Sequence, residues 1–159
     1  MKIYIIGSPA SGKTTLSRKL SNKYNIPYYE LDKLIYDDDN NHIKRTDQEV
    51  EKLFDEIINK DNWIIEDVGR SKFEKGRELA DIIYYLALSK YLIMLRINTR
   101  WLKQRVGLEN YNYPPTIEQL IDMNKTALSY LKKEPSKRAS LNKYETKVLN
   151  LRKKDIKKL

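Results

Sequence analysis

The chain has 159 residues, 40% of them hydrophobic and 33% charged, a balance that predicts a globular protein with a sizeable core. No stretch approaches the ~20 apolar residues of a membrane-spanning helix, and the absence of cysteine excludes disulfides and thiolate metal sites. The net charge of +9 predicts attraction to phosphorylated small molecules or to nucleic acid, unless the excess lysines only solvate helix faces. We expect a cytoplasmic protein without membrane association.

A phosphate-binding loop stands near the start of the chain, where residues 7–14 read GSPASGKT and match the pattern G-x-x-x-x-G-K-[ST]. Glycine lets such a loop curl so that successive N–H groups point at phosphate oxygens. In this pattern Lys13 reaches the β- and γ-phosphates, and the Thr14 hydroxyl binds Mg²⁺. The predicted nucleotide-binding residues are Gly7, Ser8, Pro9, Ala10, Ser11, Gly12, Lys13, Thr14 and Thr15.

The flanking residues supply the strand and the helix that a phosphate-binding loop requires. Residues 2–6 are apolar and predict a short buried strand. Leu16, Leu20 and Tyr24 share one face of a helix predicted over residues 15–24. The unpaired N–H groups at the start of this helix would add to the phosphate site.

Asp32 follows the second predicted strand, residues 28–31. Open α/β sheets bind ligands beyond the carboxyl ends of their strands, so Asp32 is a candidate to reach Mg²⁺ through water or to act as a base for an acceptor hydroxyl. The alternative is an N-cap for a short helix over residues 33–36. We interpret the polar residues 37–41 and the single histidine, His42, as a solvated loop without a catalytic role.

Two carboxylates lie at the end of the third predicted strand, residues 63–66: one is its last residue and the other follows directly. Glu66 and Asp67 resemble the acidic element that holds Mg²⁺ through water in phosphate sites. They point to opposite faces of a strand, and the sequence leaves open which of them serves the metal. Arg70 is placed to pair with an anionic acceptor, and the alternative is a surface ion pair with Glu74.

Capping boxes at residues 46–49 (TDQE) and 116–119 (TIEQ) predict the starts of two helices. The first of these helices carries a core stripe of Val50, Leu53, Phe54, Ile57 and Ile58. The second is expected to end at Pro135, with a short helix over residues 136–143 and a fifth strand over residues 147–151 after it.

A helix capped by Ser89 follows the fourth predicted strand, residues 82–86. Arg96 and Arg100 are four residues apart and project from one face of this helix. Their charges repel each other unless an anion lies between them or solvent screens them. They are therefore candidates to contact a phosphate.

Residues 107–115 form the clearest predicted loop, with glycine and two prolines, and we expect a small lid over about residues 101–116. Tyr111 and Tyr113 are placed either to stack on a base or to pack the loop down. Strands and helices alternate along the whole chain, which predicts a parallel sheet with helices on both faces. Residues 1–159 show no repeat or linker and are expected to form one domain.

The whole chain resembles the nucleoside and nucleotide kinase branch of the phosphate-loop proteins, and most of all the DNA topology modulation (FlaR-type) proteins. These share an opening similar to residues 3–13, a Leu-Asp pair like Leu31-Asp32 and a Trp-Ile-Ile segment like residues 63–65. The resemblance implies a three-layer α/β/α P-loop NTPase fold, with five parallel strands in the order 2-3-1-4-5 and a short lid. It also implies ATP as co-substrate and Mg²⁺ as cofactor.

Adenylate kinases are similar to the chain at two candidate sites. Their third strand ends in Asp-Gly-Phe-Pro-Arg, which resembles EDVGR here and would give Glu66 the carboxylate role and Arg70 the acceptor-phosphate role. Their lid helix carries Arg-Ile-x-Gly-Arg-Arg, which resembles RINTRW here. Arg96 and Arg100 would then grip the transferring phosphoryl group.

The chain departs from adenylate kinases at Thr99 and Trp101, where that motif has Gly and Arg, and in the shortness of its lid. Shikimate and gluconate kinases also have an Asp after the second strand, so the acceptor stays open. By resemblance, the base would lie near residues 150–154.

These residues together predict an ATP-dependent kinase that phosphorylates a small hydroxyl- or phosphate-bearing acceptor. The catalytic residues would be Lys13, Asp32, Arg96 and Arg100, the acceptor would contact Asp32 and Arg70, and the metal would contact Thr14, Glu66 and Asp67. The alternative is a nucleotide-regulated DNA-binding protein that affects DNA topology. Residues 142–145 (NKYE) resemble a guanine-binding motif, which we interpret as coincidence. A monomer or a homodimer is expected.

Overall fold

The computed structural model describes residues 1–37, 43–110, 114–151 and 155. The strands are β1 (Lys2–Gly7), β2 (Tyr28–Glu30), β3 (Tyr36–Asp37), β4 (Ile43–Lys44), β5 (Trp63–Asp67), β6 (Ile82–Leu86) and β7 (Val148–Leu151). The helices are α1 (Lys13–Tyr24), α2 (Leu31–Ile35), α3 (Asp47–Ile58), α4 (Glu74–Leu79), α5 (Lys90–Arg105) and α6 (Ile117–Ala139), with 3₁₀ segments at Ser71–Phe73 and Asn142–Lys147.

The main sheet has five strands in the order β2-β5-β1-β6-β7, and every neighbouring pair is parallel. This confirms the predicted α/β fold and the predicted strand order. In the register, Ile6 of β1 lies opposite Asp67, and Glu30 of β2 lies opposite Glu66. The carboxyl ends of β1, β2 and β5 therefore bring the phosphate-binding loop and the predicted acidic residues to one edge of the sheet.

Helices cover both faces of the sheet, and this explains why the strands read as continuous apolar runs. Ile5 belongs to the core cluster that includes Leu16 and Leu20 of α1. Tyr4, on the other face of β1, belongs to the cluster that includes Phe54 of α3. A smaller apolar cluster joins α5 to α6.

The last turn of α1 differs from the prediction, because Tyr24 is 43% exposed and does not share the buried face of Leu16 and Leu20. Asn25, in the left-handed conformation with φ 54°, caps the helix there. The helix therefore ends at Tyr24, and Leu20 is its last buried apolar residue.

The predicted end of α6 at Pro135 is wrong, because the helix continues through this proline to Ala139. Proline removes a backbone hydrogen bond, but side chains on both sides of it bind the sheet. Glu134 accepts a hydrogen bond from Tyr85 at 2.7 Å, and Lys137 donates to the Val68 carbonyl at 2.8 Å. These contacts hold the helix together across the proline, and no separate helix over residues 136–143 forms.

The capping boxes behave differently at the two predicted sites. Thr46 and Glu49 exchange both bonds of the box at the start of α3. At the start of α6, the Thr116 hydroxyl accepts from the Gln119 N–H at 3.1 Å, but the Thr116 N–H donates to Pro114 instead. The second box is therefore only half formed.

The hairpin of β3 and β4 was not predicted from the sequence, and it flanks residues 38–42. The polar loop with His42 falls largely outside the described residues, as do Tyr111, Tyr113 and residues 152–154 of the expected base site. Across the described parts of the chain, no helix is both long enough and apolar enough to cross a membrane.

Candidate active site

The phosphate-binding loop curls back on itself between β1 and α1. Gly12, at the N-cap of α1, has φ 98°, and Ala10 has φ 58°, so two residues of the loop adopt left-handed conformations. The Ser11 N–H donates to the Ser8 carbonyl oxygen at 3.2 Å. A left-handed Gly12 suits a residue without a Cβ atom, and a loop curled in this way can present N–H groups to an anion.

The loop opens onto a cavity of about 490 Å³. Its other wall comes from α5 and from the residues that follow this helix. The lining residues are Ala10, Ser11, Gly12, Lys13, Thr14, Thr15, Arg96, Arg100, Lys103 and Glu109. Four of the ten carry a positive charge and one a negative charge, which suits the phosphate groups of a nucleotide.

Gly7 is the last residue of β1 and the first of the phosphate-binding loop. A Cβ atom there would lie 2.6 Å from Ser11 Oγ and 3.0 Å from Leu86 Cβ. We expect Gly7→Ala to cost roughly 1–3 kcal/mol of stability through overpacking and to weaken nucleotide binding by displacing Ser11. Urea unfolding and ATP titration measure the two effects. An unchanged unfolding midpoint would show that the loop yields without strain.

Lys13 lies at the centre of the site. Its Nζ donates to the Ser8 carbonyl oxygen at 3.0 Å, inside the loop. Burial lowers the pKa of Lys13, and the negative charges of Glu66, Asp32 and Asp67 oppose this shift. The ammonium group is thus within electrostatic reach of carboxylates from α2 and β5.

Glu66 faces the nucleotide side of the loop. The Thr14 hydroxyl donates to Glu66 Oε1 at 2.7 Å, and the other carboxylate oxygen, Oε2, is buried without a hydrogen-bond partner. Burial raises the pKa of Glu66 to about 7, against the opposing effects of Lys13 and the Thr14 hydrogen bond. An unsatisfied buried oxygen beside a threonine hydroxyl fits a divalent cation.

Mg²⁺ fits this site without a dedicated protein cage. The described residues hold no group of three or more acidic or histidine side chains that could bind a metal by themselves. Mg²⁺ usually takes one or two protein ligands and completes its shell with substrate phosphates and water. Thr14 and Glu66 can supply that protein share.

The raised pKa of Glu66 has a consequence for the metal-free protein. A carboxyl group with a higher pKa when folded holds its proton more tightly in the folded state, so stability falls as pH rises from about 4.5 to about 7. Glu66→Gln should remove this loss and be more stable than wild type at pH 8 by about 3 kcal/mol, with little difference at pH 4.5. Urea unfolding at both pH values in a chelator measures it, with Glu56→Gln on α3 as control. Equal pH dependence in both proteins would contradict the assignment.

Asp67 points away from the loop and holds Arg70. Its side chain is fully buried and accepts from the Arg70 N–H at 2.6 Å and from the guanidinium Nη1. Arg70 Nη2 donates to Asp32, in the first turn of α2. The structure therefore joins three of the predicted site residues in one ion-paired group.

Two alternative interpretations of these residues are wrong. Arg70 does not pair with Glu74, whose carboxylate contacts Lys143 instead. Asp32 is not an N-cap, since Glu30 stands at the N-cap position of α2. Strand β2 ends one residue earlier than predicted, and this shift places Asp32 inside the helix.

Lys137 and Arg77 support the turn of residues 68–70, the Arg70 turn, and neither was predicted as a site residue. Lys137 Nζ donates to the carbonyls of Val68 and Gly69 at 2.8 Å each, and buried Arg77 donates to the Arg70 carbonyl at 2.9 Å. Nothing in the local sequence pattern marked Lys137 as a site residue, because it lies two residues after a proline that was predicted to end the helix. The one sequence feature that could have pointed to these contacts is the glycine-containing turn after β5, whose carbonyls need hydrogen-bond donors.

Arg96 and Arg100 both line the nucleotide cavity but have different partners. Arg96 Nη1 donates to the carbonyls of Ala10 and Ser11, at 3.0 and 2.7 Å. Arg100 Nε lies 3.2 Å from the Glu109 carboxylate, beyond the end of α5. Arg96 therefore stabilises the loop, while Arg100 is held, among the described residues, only by an exposed ion pair.

A second cavity of about 690 Å³ lies between α5 and α6, on the other side of Arg100. Its lining residues are Pro9, Arg100, Gln104, Pro114, Thr116, Gln119, Asp122, Met123 and Thr126. Arg100 is common to both cavities, and Pro9 precedes the loop residues that line the first one. The tip of the phosphate-binding loop thus separates the two spaces.

Comparison with protein families gives one match, to a family described as AAA domain, over residues 3–114. This range includes the phosphate-binding loop, both carboxylates of β5, Arg70, and Arg96 and Arg100 of α5. Among curated protein sequences, none matches the chain.

Solved structures of small-molecule kinases share the fold. A shikimate kinase from Bacteroides thetaiotaomicron aligns with a TM-score of 0.59 and 16% identity over 99% of this chain and 93% of that one. A gluconokinase from Sinorhizobium meliloti 1021 aligns with a TM-score of 0.55 and 16% identity over 95% and 81%. A shikimate kinase from Acinetobacter baumannii, in complex with shikimate, aligns with a TM-score of 0.54 and 18% identity over 87% and 78%.

Proposed function

The chain belongs to the AAA domain family, and from this premise we propose that it is an ATP-dependent kinase that transfers the γ-phosphoryl group to a small acceptor. One observation carries the proposal: at the sheet edge where Thr14 of the phosphate-binding loop binds Glu66, Asp32, Arg70 and Asp67 form a second, ion-paired group. The gluconokinase and shikimate kinase folds support the same class of reaction.

In this proposal, phosphoryl transfer needs position and positive charge more than covalent chemistry. Lys13 and the loop N–H groups bind the nucleotide phosphates, with Arg100 facing them from α5. Thr14 and Glu66 would hold Mg²⁺, which would supply positive charge to the nucleotide phosphates. Asp67 fits the metal role less well, because its carboxylate already accepts hydrogen bonds from Arg70.

Asp32 and Arg70 form the acceptor wall of the proposed site. Asp32 is 62% exposed, so it can accept a hydrogen bond from an acceptor hydroxyl. Arg70 has N–H groups beyond the two that contact carboxylates, and these can donate to an acceptor oxygen. We propose that residues 1–159 act as one domain, with the lid over about residues 101–116.

The proposal is tested by measuring ADP production from MgATP with a panel of nucleosides, nucleoside monophosphates, sugars and sugar acids. We expect one class of acceptor to raise ADP production, and Lys13→Ala to abolish the increase. If no acceptor raises it and Lys13→Ala behaves as wild type, the kinase assignment fails.

We also propose that the chain is nearest to the DNA topology modulation (FlaR-type) proteins, on the motifs that it shares with them. One feature supports a second function, in DNA binding: α5 carries five basic residues and no acidic one, in a chain of net charge +9. Duplex binding whose log affinity falls steeply with log salt concentration is then expected. Absence of binding at low salt would exclude it.

A further inference from the structure

We propose that a second copy of the chain binds to the outer face of α5, so that the two α5 helices pair antiparallel about a two-fold axis. Four large apolar side chains of this helix and its C-cap extend into solvent, with exposed fractions between 56% and 86%. We call them the α5 stripe, and they are Tyr91, Leu95, Leu102 and Val106. This surface is separate from the site of the proposed reaction.

The α5 stripe follows one line along the helix. At 3.6 residues per turn, its four residues fall within about 60° of arc and extend over about 22 Å. The buried residues of α5, which are Ile93, Ile97 and Gln104, lie on the opposite side. The helix is therefore apolar on two faces, and only one of them packs against α6. An aligned group of exposed apolar side chains is typical of an interaction surface.

The spacing of the α5 stripe favours a second copy over an unrelated partner, because the stripe is symmetric about the midpoint between residues 98 and 99. Tyr91 and Val106 are equally far from this midpoint, and so are Leu95 and Leu102. In an antiparallel pair, Tyr91 therefore meets Val106 of the partner subunit, and Leu95 meets Leu102 of the partner subunit. Each contact occurs twice, which is the self-complementarity that a two-fold interface requires.

The two polar residues at the midpoint lie at the two-fold axis of this pair. Asn98 and Thr99 are both exposed, and Asn98 Nδ2 donates to the Met94 carbonyl oxygen at 2.7 Å. The second N–H and the carbonyl oxygen of this amide are left for Asn98 of the partner subunit. A polar pair within an apolar seam fixes the register of two helices, because a shift would place these groups against apolar side chains.

The cations beside the α5 stripe are far enough apart to allow the pairing. Lys103 and Arg105 are exposed and flank the stripe on opposite sides. In the antiparallel arrangement, the two copies of Lys103 are about 13 Å apart along the helix axis, and those of Arg105 about 20 Å. Both separations exceed the Debye length of about 8 Å at physiological ionic strength, so solvent ions largely screen the repulsion.

Pairing through the α5 stripe leaves the nucleotide cavity of each copy open. Arg96 and Arg100 line that cavity, and they lie more than about 90° around the helix from the middle of the stripe. The inner side of α5 therefore faces the nucleotide site, and its outer side binds the second copy.

Sedimentation equilibrium of the full chain over a dilution series tests the pairing. Four apolar side chains from each copy make a small interface, and small interfaces are typical of weak complexes. We therefore expect dimers at a concentration of about 100 µM that dissociate on dilution. If the wild type stays monomeric throughout the series, the proposal is overturned, whether the stripe then binds a lipid surface, another protein or nothing.

Leu95→Lys and Leu102→Glu identify the surface. Each variant places a charge against an apolar side chain of the partner subunit, so each should raise the dissociation constant at least about tenfold. Both residues are exposed, so the unfolding midpoint of the monomer in urea should stay unchanged. Leu79→Lys, at the exposed end of α4, is the matched control and should dimerise like the wild type. Dimers that both variants leave unaffected would place the contact on another surface and overturn the proposal.

A mixture of the two variants tests the antiparallel arrangement. In a mixed pair, the lysine of Leu95→Lys meets the glutamate of Leu102→Glu, and the unchanged leucines of the two chains still meet each other. We expect the mixture to dimerise with a dissociation constant at least about tenfold lower than that of either variant alone. A mixture of Leu95→Lys with Leu102→Lys is the control and should stay monomeric. If the mixture of opposite charges also stays monomeric, the antiparallel pairing is wrong.

Discussion

Lys13→Ala is expected to lower ATP turnover by at least about 10²–10³-fold, the usual cost of removing one group that stabilises transition-state charge. The Lys13 ammonium is the cation inside the loop, and it is held by the Ser8 carbonyl until phosphate oxygens compete for it. Because burial already lowers its pKa, the group gains more from a phosphate partner than an exposed lysine would. Steady-state ADP production measures the loss.

The control for this variant is Lys52→Ala, which removes an exposed lysine of α3 and should leave turnover unchanged. Both proteins should be checked by urea unfolding, since Lys13→Ala also removes a hydrogen bond within the loop. Wild-type turnover in a folded Lys13→Ala protein would contradict a role for this loop in phosphoryl transfer.

Arg100→Ala is expected to lower kcat by about 10³-fold or more, with a smaller change in the KM for ATP. Arg100 lines the nucleotide cavity, so its guanidinium faces the space that the transferring phosphoryl group would occupy. Among the described residues its carboxylate partner is Glu109, and this exposed pair is easily exchanged for a phosphate. Arg105→Ala, on the same helix, is the matched control and should retain full activity.

Arg96→Ala should behave differently from Arg100→Ala, and the contrast separates the two roles. Arg96 braces the carbonyls of Ala10 and Ser11, so its loss should mainly raise the KM for ATP and loosen the loop. If Arg96→Ala instead reduced kcat alone and Arg100→Ala only raised KM, the two assignments would have to be exchanged.

The sequence predicted the five-stranded sheet well, because most of its strands are short apolar runs bounded by turn residues and the phosphate-binding loop identifies which strand is first. Period-two alternation correctly placed Glu66 and Asp67 on opposite sides. It could not tell which side faced the loop, since the answer depends on how β5 pairs with β1. The pairing puts Glu66 beside Thr14 and Asp67 beside Arg70.

The errors have a common physical origin in contacts between distant parts of the chain. Pro135 looks like a helix end from local propensity, and only Tyr85 and the turn after β5 show why α6 continues past it. The partnership of Lys137 with Val68 joins residues 69 positions apart, and no local pattern encodes it. Such partners become visible only in three dimensions.

Helix α6 connects two parts of the site, because it runs without a break from Ile117 to Ala139. Near one end of this helix, Gln119 and Met123 line the cavity between α5 and α6, and near the other end Lys137 binds the carbonyls of Val68 and Gly69. Pro135 lies between these ends, but Glu134 and Lys137 are anchored on either side of it. A movement of the segment that lines the cavity would therefore be resisted before it reached the contacts of Lys137.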